Sequence, residues 1–303
     1  MISTTPAVRR KKLYMLDSIL LATDLDRTLL PNGTHPESPG ARTRFRQFVA
    51  RPEVKLVYVT GRDRELVIAA IADYDLPQPH FVIADVGTSV YEIRDSDWQL
   101  CEDWRQKLTA AWHACGTAQL AAALADLPGL RLQEAAKQGA LKLSYYTAAL
   151  DDPAELLAEV QARLVATGAD TYLVWSVDET TGTGLLDVLP AGAGKRQALE
   201  YLRSQLGIAL DQTVFAGDSG NDMEVLVSDM PSVLVANAHD AVRAEAVRRG
   251  DGNTLYLARG GLAGMNGCYS AGIIEGVMHF LPETRAWLDT GNDSSTRTST
   301  QTE

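Results

Sequence analysis

ILLATDLDRT, residues 19–28, joins a short apolar run to a turn that carries two acids. The run from Ile19 to Thr23 is typical of a buried β-strand. Asp24 and Asp26 follow directly, and because side chains alternate along an extended chain, both carboxylates are expected on the same side. The sequence therefore predicts a strand that ends in a pair of acids.

A second strand-like run, much later in the chain, ends in the same way. Residues 214–216 are apolar, and the acidic turn Gly217-Asp218-Ser-Gly-Asn221-Asp222 follows them. Ligands of open parallel sheets bind beyond the carboxyl ends of the strands. Acids at two such ends therefore predict a site at the carboxyl edge of a parallel sheet.

Four carboxylates in one crevice call for a compensating cation. Asp24, Asp26, Asp218 and Asp222 would raise each other's pKa unless a divalent ion lay among them. Oxygen-only ligands favour Mg²⁺, which keeps waters that a substrate phosphate can replace. We therefore predict a Mg²⁺ site formed by these four residues.

Two further segments supply donors for a phosphoryl group. Thr60 and Gly61 end a strand-like run, and Lys195 begins a helix-like stretch. A hydroxyl, a backbone N–H and an ammonium stabilise negative charge on phosphoryl oxygens. A lone Asp at a strand end is more often a turn residue, and a lone Lys at a helix start is usually solvated. The prediction therefore depends on the four segments occurring together.

In this order the segments resemble the motifs of haloacid dehalogenase (HAD) superfamily phosphohydrolases. The run from Ser18 to Phe280 more closely resembles the sucrose-phosphate phosphatase family. The narrower resemblance is carried by residues 81–88 (FVIADVGT), 142–146 (KLSYY), 186–190 (LDVLP) and 271–280 (AGIIEGVMHF). It implies a phosphatase that hydrolyses a sugar phosphate, with sucrose 6-phosphate as the first candidate.

The resemblance also implies roles for the acids. Asp24 is the expected nucleophile, which forms an aspartyl-phosphate, and Asp26 is the expected general acid and then base. Mg²⁺ would be held by Asp24, the Asp26 backbone carbonyl and Asp218. Asp222, with Asn221, would orient that shell or reach the lysine at position 195.

The phosphoryl-binding groups follow from the same resemblance. Thr60 and the Gly61 amide would hold the phosphoryl oxygens, and Lys195 would neutralise developing charge. Arg62 either contacts phosphate or sugar, or flanks a helix and pairs with Asp63 or Glu65. The sequence leaves both alternatives for Arg62 open.

Arg27 departs from the commoner HAD pattern, which has glycine between the second Asp and the Thr. Glycine suits a tight turn, so Arg27 must tolerate that geometry or the turn must be relaxed. We expect a solvated guanidinium rather than one near the substrate.

The order of apolar and amphipathic stretches predicts an α/β protein with an insertion. Residues 18–86 and 190–283 are expected to form a HAD-like Rossmannoid parallel-sheet core, and residues 87–189 an inserted α+β cap. Within the cap, one helix is expected over residues 104–127. Residues 1–17 are expected to be a flexible lead, and residues 284–303 a disordered tail.

Sugar recognition is expected in the cap, because the cap faces the active edge of the core. Lys142 and Ser144 share one face of a strand and, with Tyr145, are the first candidates for substrate contacts. Further candidates are Trp175, Asp178 and Glu179. A cap sheet with one wet face explains the same residues nearly as well.

Composition narrows the class of partner. A net charge of -11 over 303 residues argues against nucleic acid, whose binding needs basic patches. No apolar run is long enough for a membrane span. Three cysteines without metal-ligand spacing suit free thiols in a reducing cytoplasm. A small-molecule sugar phosphate, a monomer and a possible association with a sugar-phosphate synthase are expected.

Several functions remain open at this point. The substrate could be another disaccharide or glycoside phosphate, such as mannosylfructose phosphate or glucosylglycerol phosphate. A sugar phosphomutase would share Asp24 and Asp26 but would rephosphorylate its product. A regulatory phosphatase-like module would be non-enzymatic, but such modules tend to lose catalytic acids, and here all of them are present.

Overall fold

The structure is a computed structural model, and it describes residues 18–112, 115–148, 150, 152–178 and 181–289. The expected flexible lead, residues 1–17, lies outside the described residues. Glu179 and residues 290–303 of the expected tail also lie outside them.

The described residues form strands and α-helices that are numbered in chain order. The strands are β1 (Ile19–Thr23), β2 (Val54–Val59), β3 (Phe81–Ala84), β4 (Ser89–Arg94), β5 (Asp97–Leu100), β6 (Arg131–Leu132), β7 (Leu143–Ala148), β8 (Thr171–Asp178), β9 (Thr183–Pro190), β10 (Thr213–Gly217), β11 (Ser232–Leu234) and β12 (Leu255–Leu257). The helices are α1 (Ala41–Val49), α2 (Arg64–Asp73), α3 (Glu102–Ala111), α4 (Thr117–Leu124), α5 (Ala154–Val165), α6 (Lys195–Leu206), α7 (Met223–Leu226), α8 (Asp240–Arg249), α9 (Ser270–Phe280) and α10 (Ala286–Asp289).

The larger sheet has the strand order β12-β11-β10-β1-β2-β3-β4-β5. Its strands are parallel from β12 to β3, as predicted for the core. β1 lies between β10 and β2, and all of its residues are buried. Ile19 packs on the side of α1, α2 and α9, and Leu20 packs on the side of α3 and α6. Helices on both faces thus leave the strand ends as the open edge of the core.

The smaller sheet belongs to the cap and has the order β6-β7-β9-β8, with antiparallel pairing throughout. One face packs against α4 and α5 through a separate apolar cluster that includes Leu124, Val160 and Leu186. The other face carries polar side chains such as Ser144 and Asp187. The predicted α+β cap over a parallel-sheet core is confirmed.

Residues 89–100 depart from the predicted organisation. They were expected in the cap, but β4 and β5 hydrogen-bond to the larger sheet as an antiparallel extension beyond β3. Asp95 and Ser96 form the loop between them, and both have positive φ angles, 49° and 68°. Such a two-residue turn matches the twist of paired strands. The core sheet therefore continues past the predicted boundary at residue 87.

Two other expectations need correction. The helix predicted over residues 104–127 is divided into α3 and α4, and Gly116 is the N-cap of the second helix. Residues 284–289 of the expected disordered tail are helical. Thr284 is buried, and the Trp287 ring lies 5.3 Å from that of Phe48 on α1. This segment therefore packs on the core.

Two further predictions were free thiols and the absence of a membrane span. Cys101, Cys115 and Cys268 are free thiols. In the part of the chain that the structure describes, no helix is both long and apolar enough to cross a membrane.

Candidate active site

The ends of β1 and β10 bring three of the four predicted acids together. Asp24 follows β1, and its N–H donates to Ala216 on β10 at 2.9 Å. One carboxylate oxygen from each of Asp24, Asp218 and Asp222 lies within 4.8 Å of the others. The three residues are buried, with exposed fractions of 5%, 2% and 0%. The adjacent parallel strands thus create a buried acidic group at the carboxyl edge.

Lys195 is the cation that contacts two of these acids, Asp24 and Asp222. It is the first residue of α6 and is only 3% exposed. Its Nζ donates to Asp24 at 2.9 Å, to Asn221 at 2.8 Å and to Asp222 at 2.7 Å. Burial lowers the pKa of a lysine, but the charges of Asp222 and Asp24 raise the pKa of Lys195 above its usual value. The side chain is therefore held as an ammonium ion.

Asp222 organises the turn after β10. Its Oδ2 accepts hydrogen bonds from the N–H groups of Asp218 and Ser219, at 3.1 and 3.2 Å, and its Oδ1 accepts from Lys195. A Cβ at Gly217 would lie 2.6 Å from the Asp222 carboxylate, so this position needs glycine. Because both oxygens are engaged, Asp222 fixes the positions of Asp218 and Lys195.

Arg27 was predicted to be solvated, but the structure places it against an acid. Its Nε lies 3.2 Å from Asp218 Oδ2, and its side chain is only 23% exposed. The residue has φ of 57°, so it tolerates the left-handed conformation that favours glycine. Asn32 accepts from its N–H at 2.7 Å, and Asn237 donates to its carbonyl at 2.6 Å. These contacts hold the turn and direct a guanidinium toward the acidic group.

The donor set fits a hard divalent cation. Burial, followed by the charges of Asp24 and Asp222, raises the pKa of Asp218 well above its usual range, despite Arg27. Burial also raises the pKa of Asp24, and Lys195 only partly opposes this effect. The neighbouring cations therefore do not fully compensate the charge of these two carboxylates. Both carboxylates also offer the oxygen ligands that Mg²⁺ prefers. A metal at Asp24 and Asp218 would supply the missing charge.

Asp26 lies outside the acidic group, since its carboxylate is bound by other side chains. Arg62 donates to both oxygens, at 2.8 and 2.7 Å, and Asn32 donates to Oδ1 at 2.7 Å. Burial would raise the pKa of Asp26, but the Arg62 contacts and Asn32 hold it below its usual value. Arg62 thus pairs with neither Asp63 nor Glu65. No role was predicted for Asn32. No local sequence signal predicts its contact with Asp26.

Thr60 and Gly61 offer two donors beside Asp24. Thr60 Oγ1 accepts from the Arg62 N–H at 3.2 Å, which leaves its own proton for another acceptor. The Gly61 N–H has no hydrogen-bond acceptor within the described residues. A buried hydroxyl and an unpaired N–H at the edge of a cleft are suited to an anionic oxygen.

A cleft of about 580 Å³ separates this edge from the cap, and we call it the aspartate cleft. Its core side includes Asp24, Asp26, Thr60, Gly61, Arg62 and Asn221, and its cap side includes Gln133, Lys137, Lys142, Ser144, Tyr146, Asp178 and Asp187. Lys142 links the two sides, because its Nζ lies 2.9 Å from Asp85 Oδ1 and 3.2 Å from the Gly61 carbonyl. The structure thus joins most of the predicted substrate residues in one cleft.

Tyr145 is not in the aspartate cleft. The residue is 4% exposed and packs in the apolar cap core, and burial raises the pKa of its phenol to about 12. Tyr146 lines the cleft instead, on the same strand face as Ser144. Ser144 donates to Asp187, whose pKa is raised mainly by burial. The strand alternation that paired Lys142 with Ser144 also predicts Tyr146, so this residue could have been found from the sequence.

Trp175 is likewise absent from the lining of the aspartate cleft, in contrast to its prediction as a sugar contact. Its indole N–H donates to Thr147 Oγ1 at 3.2 Å, within the cap sheet. Asp178 does line the cleft.

Sequence comparison relates this arrangement to known proteins. Residues 17–281 match the family described as sucrose-6F-phosphate phosphohydrolase. The chain is 49% identical over 284 residues to a HAD-like hydrolase of Nitrosococcus oceani, a match that covers 93% of this chain and 76% of that protein. It is 33% identical over 228 residues to a mannosylfructose-phosphate phosphatase of Agrobacterium fabrum, covering 72% of this chain and 83% of that protein.

Among solved structures, the fold is similar to that of the sucrose-phosphatase from Synechocystis sp. PCC6803, which was determined in complex with sucrose and phosphate. The TM-score is 0.71 at 24% identity, and the match covers 87% of this chain and 98% of that chain. At this identity the likeness is one of fold.

Proposed function

This chain belongs to the sucrose-6F-phosphate phosphohydrolase family, within the HAD superfamily, and from that premise we propose that it hydrolyses a disaccharide phosphate. Family membership makes it a phosphoric monoester hydrolase. Sucrose 6-phosphate is the first candidate substrate, and mannosylfructose phosphate and glucosylglycerol phosphate are the alternatives. The observation that carries the proposal is the buried Asp24, held by Lys195 and facing a cleft whose other wall is the polar cap face.

In the proposed first step, Asp24 is the nucleophile. Its carboxylate attacks phosphorus, and the bond between phosphorus and the sugar oxygen breaks, which gives an aspartyl-phosphate. Lys195, 2.9 Å from Asp24, offsets repulsion between this carboxylate and the phosphate dianion. Thr60 O–H and Gly61 N–H donate to the phosphoryl oxygens.

Asp26 moves the protons in this scheme. It protonates the departing sugar oxygen and later takes a proton from the water that attacks the aspartyl-phosphate. Arg62 keeps the Asp26 carboxylate ionised, which is the form needed in the second step. An incoming phosphate would compete for Arg62 and draw it from Asp26, so that the carboxyl could carry a proton for the first step.

Mg²⁺ is the proposed cofactor. Asp24, Asp218 and the Asp26 backbone carbonyl would hold it, and it would neutralise charge on the carboxylate and phosphoryl oxygens when bound. Asp222 would position Asp218 through the N–H contacts described above.

Substrate choice would lie in the cap. Ser144, Tyr146, Lys137 and Gln133 offer hydroxyl, phenol, ammonium and amide groups to the hydroxyls of a sugar. The Tyr146 hydroxyl donates to Glu134 and accepts from Lys137, both at 2.8 Å, so its ring is fixed beside the cleft. A fixed aromatic ring with polar neighbours suits a glycosyl unit beyond the phosphorylated one.

A panel of sugar phosphates tests this function. With Mg²⁺ present, we expect one disaccharide phosphate to exceed glucose 6-phosphate and fructose 6-phosphate in kcat/KM by about tenfold or more, because a second ring adds contacts to the cap. Released phosphate and the remaining sugar are both quantified. Equal rates for hexose phosphates would contradict the disaccharide assignment, and transfer of phosphate to a second sugar would instead identify a mutase.

Removing the charge of Arg27 should tighten Mg²⁺ binding. The guanidinium lies beside Asp218 and so repels a cation at the same carboxylate. For a partly exposed pair the repulsion is on the order of 1 kcal/mol, which corresponds to roughly fivefold in affinity. We therefore expect Arg27→Gln and Arg27→Gly to bind Mg²⁺ several times more tightly in calorimetric titrations of the substrate-free protein.

Arg27→Lys is the matched control, because it keeps the charge and changes the shape. Its Mg²⁺ affinity should stay near that of the wild type. A weaker affinity in Arg27→Gln would mean that Arg27 supports the metal site through positioning of Asp218, which is the opposite of the expected effect.

A further inference from the structure

A second and larger cavity lies on the core, away from the aspartate cleft. It has a volume of about 1010 Å³ and is bounded by α1, by the loop that follows β12, and by α9. None of its lining residues lines the aspartate cleft. We call it the basic cleft, after Arg44, Arg259 and Arg285 in its lining. Its size is that of a site for a small organic molecule.

The charge of the basic cleft is opposite to that of the whole chain. Three arginines line it, although the chain carries a net charge of -11. Within the described residues, the guanidinium groups of Arg44 and Arg285 have neither an ion pair nor a hydrogen bond, whereas the surface arginines Arg94 and Arg248 pair with neighbouring glutamates. Two arginines without an ion pair in the lining of one cavity are suited to an anion.

Glu275 is the acid in the lining, and it does not neutralise these arginines. Its Oε1 accepts from the Tyr256 hydroxyl at 2.7 Å and from the Arg259 N–H at 3.1 Å, and its Oε2 accepts from the Gly260 N–H at 2.9 Å. The residue is 8% exposed. Glu275 therefore fixes the loop that carries Arg259.

The beginning of α1 adds to the positive potential. Gly40 and Thr43 line the cavity at this end of the helix. The helix has no side-chain cap and no acid in its first turn. No acid within this first turn offsets the positive end of the helix dipole next to Arg44, an arrangement that an anion would stabilise.

An aromatic surface completes the basic cleft. The rings of Tyr256 and His279 stack with centroids 4.3 Å apart, and both residues line the cavity. Flat rings beside guanidinium groups suit a ligand that has both a ring and a phosphate. We propose that the basic cleft binds a small organic phosphate, with the phosphate at Arg44 and Arg285 and the ring at Tyr256 and His279.

Nuclear magnetic resonance of His279 tests this site directly, because the aspartate cleft contains no described histidine. The probe is adenosine 5′-monophosphate, added to the full chain without Mg²⁺. We expect saturable shifts of the His279 ring signals. The Arg44→Gln/Arg285→Gln variant should weaken binding by about tenfold or more, as expected for lost charge-assisted hydrogen bonds. Adenosine, which lacks the phosphate, should bind more weakly to the wild type.

Arg94→Gln is the matched control, since it removes an exposed arginine at the end of β4 that does not line the basic cleft. This variant should bind the probe as the wild type does. Inorganic phosphate should bind more weakly than the nucleotide, because it lacks a ring. His279 signals that do not respond, or that respond equally in the double variant, would overturn the proposal. Equal affinity for adenosine would overturn the role of the arginines, and equal affinity for inorganic phosphate would overturn that of the rings.

Discussion

Asp24→Asn is expected to lower turnover by on the order of 10³-fold or more, because the amide cannot form an acyl phosphate. The substitution preserves the shape of the side chain in a residue that is only 5% exposed. Lys195 keeps its contact with Asp222 in this variant, so the fold should persist. Phosphate release measures the first effect, and circular dichroism melting measures the second. Turnover at the wild-type rate in a folded Asp24→Asn protein would exclude Asp24 as the nucleophile.

Asp26→Asn is the control that separates the two acids. It removes the proposed proton carrier and leaves the nucleophile. With an aryl phosphate, whose leaving group needs no proton, this variant should still form the aspartyl-phosphate and should hydrolyse it slowly. Borohydride reduction of the trapped acyl phosphate converts the aspartate to homoserine, which mass spectrometry locates. Homoserine at position 24 in Asp26→Asn, and none in Asp24→Asn, is the expected pair of results.

The acidic group shows what a strand pattern can predict. Asp24 and Asp218 each follow a buried apolar strand, and parallel pairing of β1 with β10 puts these ends side by side. Sequence order and strand type were sufficient for this part of the site. The pattern did not separate Asp26 from the other acids, because its environment depends on Arg62, which is far from it in the sequence.

The environment of Arg27 could not be predicted from the residues near it in the sequence. A surface position next to a turn favours a solvated arginine, and that was the prediction. Its contact with Asp218 joins residues that are 191 positions apart, and it depends on a positive φ that Asn32 and Asn237 support. Neither the distant partner nor the backbone conformation is visible in the motif itself.

The cap residues and the β4–β5 hairpin show a different cause of error. Tyr145 and Tyr146 are adjacent and chemically identical, so only the parity of the strand decides which one faces the cleft. The parity was available from Lys142 and Ser144. The hairpin was missed because its strands are short, with six and four residues, and Val90 is the one buried residue in them, so they lack the continuous buried run of the core strands.

Lys195→Met should destabilise the metal-free protein by about 3–5 kcal/mol in the free energy of unfolding, as expected when one partner of a buried ion pair is removed. The methionine fills a similar volume, so lost packing contributes little. Asp24 and Asp222 would then be buried without the ammonium that now lies 2.9 and 2.7 Å from them. Urea denaturation without divalent ions measures the change.

Mg²⁺ should restore part of this stability, because a divalent ion at Asp24 and Asp218 supplies positive charge to the same group. The gain on adding Mg²⁺ should therefore be larger for Lys195→Met than for the wild type. Lys195→Met/Asp222→Asn is the matched variant: it neutralises one acid and should be more stable than Lys195→Met alone without metal. If Lys195→Met were as stable as the wild type in the absence of divalent ions, repulsion among the three acids could not be the reason why this site needs cations.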